Sequence, residues 1–376
     1  MKGLEYNMRL LITGAKGFIG INFIFGLKKH KDILIDEFDI DTDPSNLMVY
    51  CSRADFICHL AGANRPNDAA EYIESNVDFT HHLIDTLKKC NNLCPIAYAS
   101  STQAILDNPY GRSKKEGEDA LLKYSKETGA KVLVYRFPNV FGKWCKPNYN
   151  SVVATFCYNV AYNQPISVNN PTTILKLVYI DDVVEELKYA IDGKENRNGD
   201  YCEVAPVYTT TLERIAELIR SFKSSREELS IPDMSDAFIK KLYSTYLSYL
   251  PEQDLSYELK MNIDHRGSFT EFMKQTGIGQ LSVNIIKAGV LKGNHWHNTK
   301  IEKFLVVSGK GLVKLRKITS KLTIHYYVSD DKLEVIEIPS GYAHSIENLG
   351  DTDLVLLIWA NESYDFNKPD TYSMEV

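Results

Sequence analysis

An α/β domain built on a doubly wound parallel sheet, followed by an all-β domain, is the fold class that the sequence predicts, and three observations predict it. Over about 200 N-terminal residues, short β-branched apolar runs alternate with amphipathic stretches, the pattern that βαβ units leave in a parallel sheet. From about Met261 the texture changes to short apolar runs separated by turn residues, as expected of a sandwich or barrel. The length of 376 residues exceeds what one hydrophobic core usually holds and suits two domains, expected at 1–245 and 246–376.

In the first domain MRLLIT, ILIDEF, FICHL, PIAYAS and VLVYRF read as strands. A helical stretch around 211–222 follows, and the tyrosine-rich IKKLYSTYLSYLPEQDLSY reads as a connector. In the second domain QLSVNIIKAG, EKFLVVSGKG, LTIHYYVSDD, LEVIEIPSG and LVLLIWAN read as strands. No internal repeat or low-complexity tract interrupts either pattern.

A net charge of -6 gives no basic field for nucleic acid, although backbone amides can still bind a nucleotide-sized anion. No run approaches the roughly 20 apolar residues that cross a bilayer, and no signal-peptide pattern precedes MRLLITGAKG, so no membrane association and a cytoplasmic location are expected. The seven cysteines all precede residue 203, at irregular spacing and in odd number, which predicts free thiols.

The string TGAKGFIG at 13–20 (Gly14, Ala15, Lys16, Gly17, Phe18, Ile19, Gly20) follows an apolar strand and opens a helical pattern. Glycines there permit a tight turn, close approach to a pyrophosphate and close helix packing, which is the Rossmann-type dinucleotide fingerprint. Asp39, 25 residues after Gly14, ends the second strand, where a carboxylate can accept from the adenosine ribose hydroxyls and disfavours a 2′-phosphate. The alternative for Asp39 is a surface acid among Asp36, Glu37, Asp41 and Asp43.

Tyr110 and Lys114 share one helical face. There the ammonium could lower the phenol pKa and make Tyr110 a proton donor or acceptor. Ser100, Ser101 and Thr102 end the strand before it, at the carboxyl edge where open α/β sheets bind ligands. Ser101 is the first choice for a hydroxyl on the substrate oxygen, with Thr102 second.

Farther on, the segment from Gly289 to Gly309 reads G-x5-H-x-H-x4-E-x6-G, with His295, His297 and Glu302. Residues two apart on a strand face the same way, so both imidazoles can reach one ion. A second segment, P-x-G-x2-H-x3-N, holds Pro339, Gly341, His344 and Asn348, and His344 supplies a fourth ligand. Zn2+ is expected, although three imidazoles and a carboxylate also suit iron, manganese or nickel.

In order, the glycine string, HLAG (His59, Leu60, Ala61, Gly62), Ser101, Tyr110 and Lys114 resemble an extended short-chain dehydrogenase/reductase acting on nucleotide sugars. The resemblance implies NAD(P)H as cofactor, NADPH being the family expectation and Asp39 leaving NADH open. RFPNVFG at 136–142, with Asn139, and VYIDDV at 178–183 resemble later signatures of that family, which help line the sugar-nucleotide pocket. Sugar 4,6-dehydratases of the family carry an Asp-Glu pair where this chain has Thr102 and Gln103, which argues against dehydration and leaves carbonyl reduction or 4-epimerisation.

The two histidine segments resemble a cupin jelly roll, except that Leu333 stands where a glycine is usual. DHRGSFTE at 264–271 resembles the opening of deoxysugar-epimerase jelly rolls, whose arginine, here Arg266, contacts the nucleotide-sugar. The other reading of that stretch is a hairpin turn carrying surface charges. Over essentially the whole chain, the fusion resembles the bifunctional enzymes of capsular-polysaccharide synthesis. That implies C3 epimerisation of a UDP-2-acetamido-2,6-dideoxy-4-hexulose by the cupin. Reduction of the C4 ketone by the first domain then gives UDP-N-acetyl-6-deoxy-L-talosamine. The partner implied is thus a UDP-linked 4-keto-6-deoxy amino sugar, and a homodimer is expected. For the base that takes the C3 proton, the sequence offers only His265 and Tyr342. The alternative is a reductase or 4-epimerase whose cupin is a non-catalytic binding or dimerisation module.

Overall fold

The computed structural model describes residues 8–65, 68, 70–275, 277–365, 367 and 369–376. They form two compact units: residues up to Arg220 with Ser235–Pro251, and Ser221–Met234 with Glu252–Val376.

The first unit opens with β1 (Met8–Thr13), α1 (Phe18–Leu27), β2 (Ile33–Phe38), α2 (Asn46–Arg53) and β3 (Phe56–His59). A short α3 (Ala70–Ile73) runs through a π-helical turn (Glu74–Asp78) into α4 (Phe79–Cys90), followed by β4 (Ile96–Ser101), α5 (Pro109–Thr128), β5 (Val132–Phe137) and β6 (Asn139–Phe141). Then come α6 (Val152–Ala161), β7 (Ile174–Tyr179), α7 (Ile180–Ile191), β8 (Arg197–Asn198), β9 (Tyr201–Cys202), β10 (Tyr208–Thr211), α8 (Leu212–Glu227), whose residues from Ser221 onward count with the second unit, and α9 (Ala237–Leu247).

The main sheet has the order β2-β1-β3-β4-β5-β9-β8, parallel from β2 to β9. Both faces are covered, which explains the near-continuous apolar strands. Leu10 and Ile12 of β1 pack with Phe23, Leu27 and Val183 of α1 and α7. Leu11, from the opposite face of the same strand, packs with Leu47, Leu83 and Leu121 of α2, α4 and α5. The strand order reverses between β1 and β3, and ligands of open α/β sheets bind at such a switch point.

The expected connector proves to be half helix. Asp236 caps α9 by accepting from the Phe238 and Ile239 N–H groups at 2.8 and 3.1 Å. Lys241 then donates to Asp182 (2.7 Å) and Tyr208 (3.0 Å), and Leu242 and Tyr246 are buried. The expected boundary at 245/246 therefore falls within α9, and the division between units follows Pro251.

The second unit contains β11 (Met261–Asp264), β12 (Gly267–Gln275), β13 (Gly279–Ile286), β14 (Leu291–Trp296), β15 (Glu302–Ser308) and β16 (Lys310–Lys317). It continues with β17 (Thr323–Ser329), β18 (Val335–Ile338), β19 (Tyr342–Asn348), β20 (Leu354–Ala360) and β21 (Tyr372–Ser373). Two sheets, β11-β12-β13-β20-β15-β18 and β17-β16-β19-β14-β21, share one core that includes Ile286, Phe304 and Leu356 from the first and Val313, Leu315 and Ile346 from the second. Every pairing between these strands is antiparallel. The seven cysteines are free thiols, and among the described residues no helix is long and apolar enough to cross a membrane.

Candidate active site and metal centre

The glycine turn links β1 to α1 at the switch point. Gly14 has φ +69°, and a Cβ there would stand 2.6 Å from the Ala61 nitrogen, so the turn after β1 and the HLAG turn after β3 approach as only glycine permits. Gly17 caps α1 in extended conformation without a side chain, leaving the first N–H groups of the helix free to meet an anion. Asp39 follows β2 directly, and its Oδ2 accepts from the Lys16 N–H at 2.7 Å. The Lys16 ammonium pairs with Asp41 instead. Asp39 thereby lies beside the glycine string.

His59 of HLAG is a structural relay. The Thr80 hydroxyl donates to Asn76 O (2.8 Å), so it accepts from His59 Nε2 (3.0 Å), and Nδ1 accepts from Thr13 (2.7 Å). Burial, helped by the Lys114 charge, pushes this imidazole down to about 3.

Ser101 ends β4, and α5 begins eight residues later under a cap from Asn108, whose side chain accepts from the Gly111 N–H at 2.7 Å. This geometry places Tyr110 on the first turn of α5, in hydrogen-bond contact with Ser101. Burial raises the Tyr110 phenol and the Ser101 contact opposes that rise. Lys114 is buried, donates to Ala99 O at 2.9 Å, and is pushed down to about 8 by burial, against the opposing pull of Glu118. The expected lowering of the phenol is outweighed: burial sets its net direction upward, while the Lys114 ammonium also donates to a backbone carbonyl.

The later signatures serve the scaffold as well. Arg136 turns to the fully buried Glu118 (2.9 and 2.6 Å) and lies over the Tyr201 ring at 3.8 Å, while Ser100 donates to Glu118 at 2.5 Å. Asp181 pairs with Lys143 (2.5 Å), and Asp182 with Lys241. Asn139 is exposed at the start of β6, its amide donating to Lys176 O at 3.2 Å.

In the second unit, His295 and His344 are opposite partners on β14 and β19. The register slips between Gly293 and His295, where Gly293 has φ +101° and Asn294 φ +58°. Such a bulge re-aims the side chains that follow it. His297, one residue past β14, and Glu302, first in β15, complete the group, and one donor atom from each residue lies within 4.8 Å of the others. Ring centroids of His295 and His344 are 4.4 Å apart. Nε2 of His297 and of His344 are buried without a hydrogen-bond partner and face Glu302 at 3.6 and 3.3 Å.

Burial and the neighbouring His344 and His297 push His295 down to about 4, so it offers a neutral ring at ordinary pH. Burial alone would raise Glu302, but the facing imidazoles outweigh it and hold the carboxyl below its usual range. Buried imidazole nitrogens without a partner are costly. Three imidazoles converging with one carboxylate are a donor set that fits a divalent cation.

A cavity of about 1030 Å³ is walled by His295, Glu302 and His344 together with Arg266 and Lys292. Arg266 occupies the β11–β12 turn and pairs with Asp264 at 2.6 Å, so it is at once a turn residue and a wall residue of this cavity. His265 and Tyr342 are not among the residues that wall the cavity.

Residues 10–205 match the NAD dependent epimerase/dehydratase family, and residues 262–372 match the polysaccharide biosynthesis C-terminal domain. The chain is 39% identical to UDP-2-acetamido-2,6-beta-L-arabino-hexul-4-ose reductase of Pseudomonas aeruginosa, over 98% of this chain and 99% of that protein. The chain belongs to the NAD dependent epimerase/dehydratase family. Among solved structures, capsular polysaccharide assembling protein CapF from Staphylococcus aureus has 50% sequence identity and a TM-score of 0.93, over 98% of this chain and all of that one. UDP-glucuronic acid 4-epimerase from Bacillus cereus has 18% identity and a TM-score of 0.55 over 64% of this chain and 98% of its own, a likeness of fold.

Three residues of this epimerase/dehydratase chain escaped sequence reasoning. Asn76, in the π-helical turn, donates to Ala63 O and Ser113 Oγ, both at 2.9 Å, and packs with Lys114 against Gly62, where a side chain would not fit. No local pattern marks a π-turn. Glu118 had a signal, since Tyr110, Lys114 and Glu118 fall at successive i+4 positions on one face. Lys292 had none: its contacts with Asn284 Oδ1 (2.8 Å) and Ile285 O (3.1 Å) arise from folding between sheets.

Proposed function

We propose that the first unit reduces the C4 ketone of a UDP-linked 4-keto-6-deoxy amino sugar with NAD(P)H, and that the second inverts C3 of the same sugar beforehand. The observation that carries this is the full-length likeness to the P. aeruginosa reductase, in a chain where Tyr110 meets Ser101 and Lys114 follows one turn later in the same helix. The cofactor, when bound on the glycine turn beside Leu60, Ala61 and Gly62, supplies the hydride. Tyr110, kept protonated by burial, gives its proton to the C4 oxygen, and Ser101 donates a hydrogen bond to that oxygen. Lys114 stabilises the phenolate left behind. Asn139 and the residues near it line the sugar-nucleotide side. Asp39 accepts from a ribose hydroxyl, which disfavours a 2′-phosphate on electrostatic grounds.

In the second unit His295, His297, Glu302 and His344 hold a divalent ion, zinc by donor set. Such an ion, when bound, polarises a carbonyl oxygen and so acidifies the neighbouring carbon acid. Arg266 provides positive charge for the diphosphate at the cavity wall. A C4 ketone is what makes the C3 proton labile, so inversion precedes reduction, which would remove that ketone. The chain thereby acts on a capsule precursor, as a homodimer in the cytoplasm.

The test is incubation with the 4-keto-6-deoxy sugar in deuterated water with each reduced cofactor, followed by product NMR. One NAD(P)H consumed per product, with deuterium at C3, is the expected result. Interconversion at C4 without net oxidation of cofactor would show a 4-epimerase instead. Reduction without exchange at C3 would leave the second unit a binding module.

A further inference from the structure

Beyond the four ligands, a segment at the far end of the chain is built onto the metal centre. β21 pairs with β14 at the level of the ligand itself, His295 opposite Ser373 and Trp296 opposite Tyr372, and the Trp296 and Tyr372 rings stack at 4.7 Å. The Met374 N–H donates to Asn294 O at 2.9 Å, on the bulge that aims His295.

Asp370, just before β21, makes the densest contacts. Its carboxylate accepts from the N–H groups of Asn298 (3.0 Å), Thr299 (2.7 Å) and Lys300 (2.8 Å), and from the Thr299 hydroxyl (3.1 Å). These donors form the turn between His297 and Glu302, so one side chain fixes the spacing of two ligands. The backbone carbonyl of Asp370 meets His297 Nδ1. A carbonyl can only accept, so Nδ1 carries the proton and the lone pair is left on Nε2, the atom that faces Glu302.

We propose that Asp370 is a positioning residue of the metal centre through its carboxylate, which holds the His297-to-Glu302 turn beside the backbone carbonyl that fixes the His297 tautomer. The inference rests on the reading of His295, His297, Glu302 and His344 as metal ligands. Outer partners of this kind orient a ligating imidazole, and their loss typically lowers metal affinity by roughly 10- to 100-fold.

The experiment measures zinc affinity of the full-length protein by competition with a chromogenic chelator, beside the melting temperature of the zinc-free protein. The wild type, Asp370→Ala, Asp370→Asn and Thr299→Ala are compared, with His295→Ala as the ligand control. Asp370→Ala is expected to bind zinc roughly 10- to 100-fold more weakly at an unchanged zinc-free melting temperature. Asp370→Asn, which keeps one acceptor oxygen, and Thr299→Ala, which removes one donor, fall between it and the wild type. The visible spectrum of the cobalt-substituted protein should shift in Asp370→Ala, as ligand geometry relaxes. Wild-type affinity in Asp370→Ala overturns the role of Asp370 while leaving the metal centre standing. Should Asp370→Ala not fold, wild-type affinity in both Asp370→Asn and Thr299→Ala overturns it. A wild-type protein that binds zinc no better than His295→Ala overturns the metal centre, and this inference with it.

Discussion

At the residue scale the proposed proton donor is Tyr110, and its removal should separate chemistry from binding. Tyr110→Phe is expected to lower kcat for NAD(P)H oxidation roughly 100- to 10,000-fold, leaving KM for the sugar within a few fold and zinc content unchanged; steady-state kinetics and metal analysis check both. Lys114 sets a pH limb. Burial depresses it from 10.5 to about 8, so the folded protein carries this positive charge below about pH 8 and loses it as pH rises through that value. In the proposed mechanism the phenolate formed on Tyr110 needs that charge, so kcat/KM should fall above about pH 8, and Lys114→Met should lose both rate and limb. The same shift has a stability sign. From about pH 8 to 10.5 the unfolded chain binds the extra proton, so the burial penalty on this ammonium fades and its contribution to stability rises with pH.

The site was legible at this scale wherever chemistry-bearing residues sit at fixed local spacing. Ser101 meets Tyr110 one helical turn before Lys114, and His295, His297, Glu302 and His344 come together in the second unit, because a helix period, a strand end or a strand alternation relates most of them. Asn76, Lys292 and Asp370 were not legible, since each acquires its partners from segments far away in the chain. The environment also reversed one electrostatic expectation. Spacing puts Lys114 beside Tyr110, but only the fold shows that both are desolvated, which raises the phenol instead of lowering it.

At the scale of elements, the strands read from apolar runs are those with both faces or one whole face in a core. MRLLIT, ILIDEF and VLVYRF coincide with β1, β2 and β5. β14 and β19 carry no apolar run because function replaces that pattern there: KGNHWH and YAHSIE carry ligands and a bulge, and only the spacing of His295 and His297 marks β14 as a strand. The bulge supplies a prediction. A Cβ on Gly293 would stand 2.7 Å from His344 O and 2.8 Å from the Ser345 Cα, at a φ that L-residues rarely adopt. Gly293→Ala should therefore push β14 off β19 and part His295 from His344, weakening zinc binding at least tenfold by chelator competition while NAD(P)H oxidation persists. Asn348, in the same histidine segment, proves structural: its amide donates to Ile286 O and Thr352 O at 2.8 Å each and accepts from the Gly350 N–H at 2.9 Å. Asn348→Ala strands those buried groups and should destabilise the second unit by about 2–4 kcal/mol, read by denaturant unfolding.

At the scale of the whole molecule, the two proposed chemistries fall on two units with separate cores, and metal removal is where they should part. The ligands, the cavity and Asp370 all belong to the second unit, whereas the glycine turn, Ser101, Tyr110 and Lys114 belong to the first. Removing zinc with a chelator, or substituting His295 and His297 by Ala, should therefore abolish solvent exchange at C3 and leave the reductase intact. The choice of substrate makes the outcome decisive. Given the sugar with C3 already inverted, zinc-free protein should oxidise NAD(P)H at close to the native rate. Given the uninverted sugar, it should stall or yield a product that keeps the original C3 configuration, while Tyr110→Phe exchanges C3 without oxidising cofactor. Exchange at C3 that survives complete metal removal would take epimerisation away from the metal centre, because side chains alone would then be acidifying the proton. Loss of reduction along with exchange on the inverted sugar would instead make the metal a structural requirement of the whole chain.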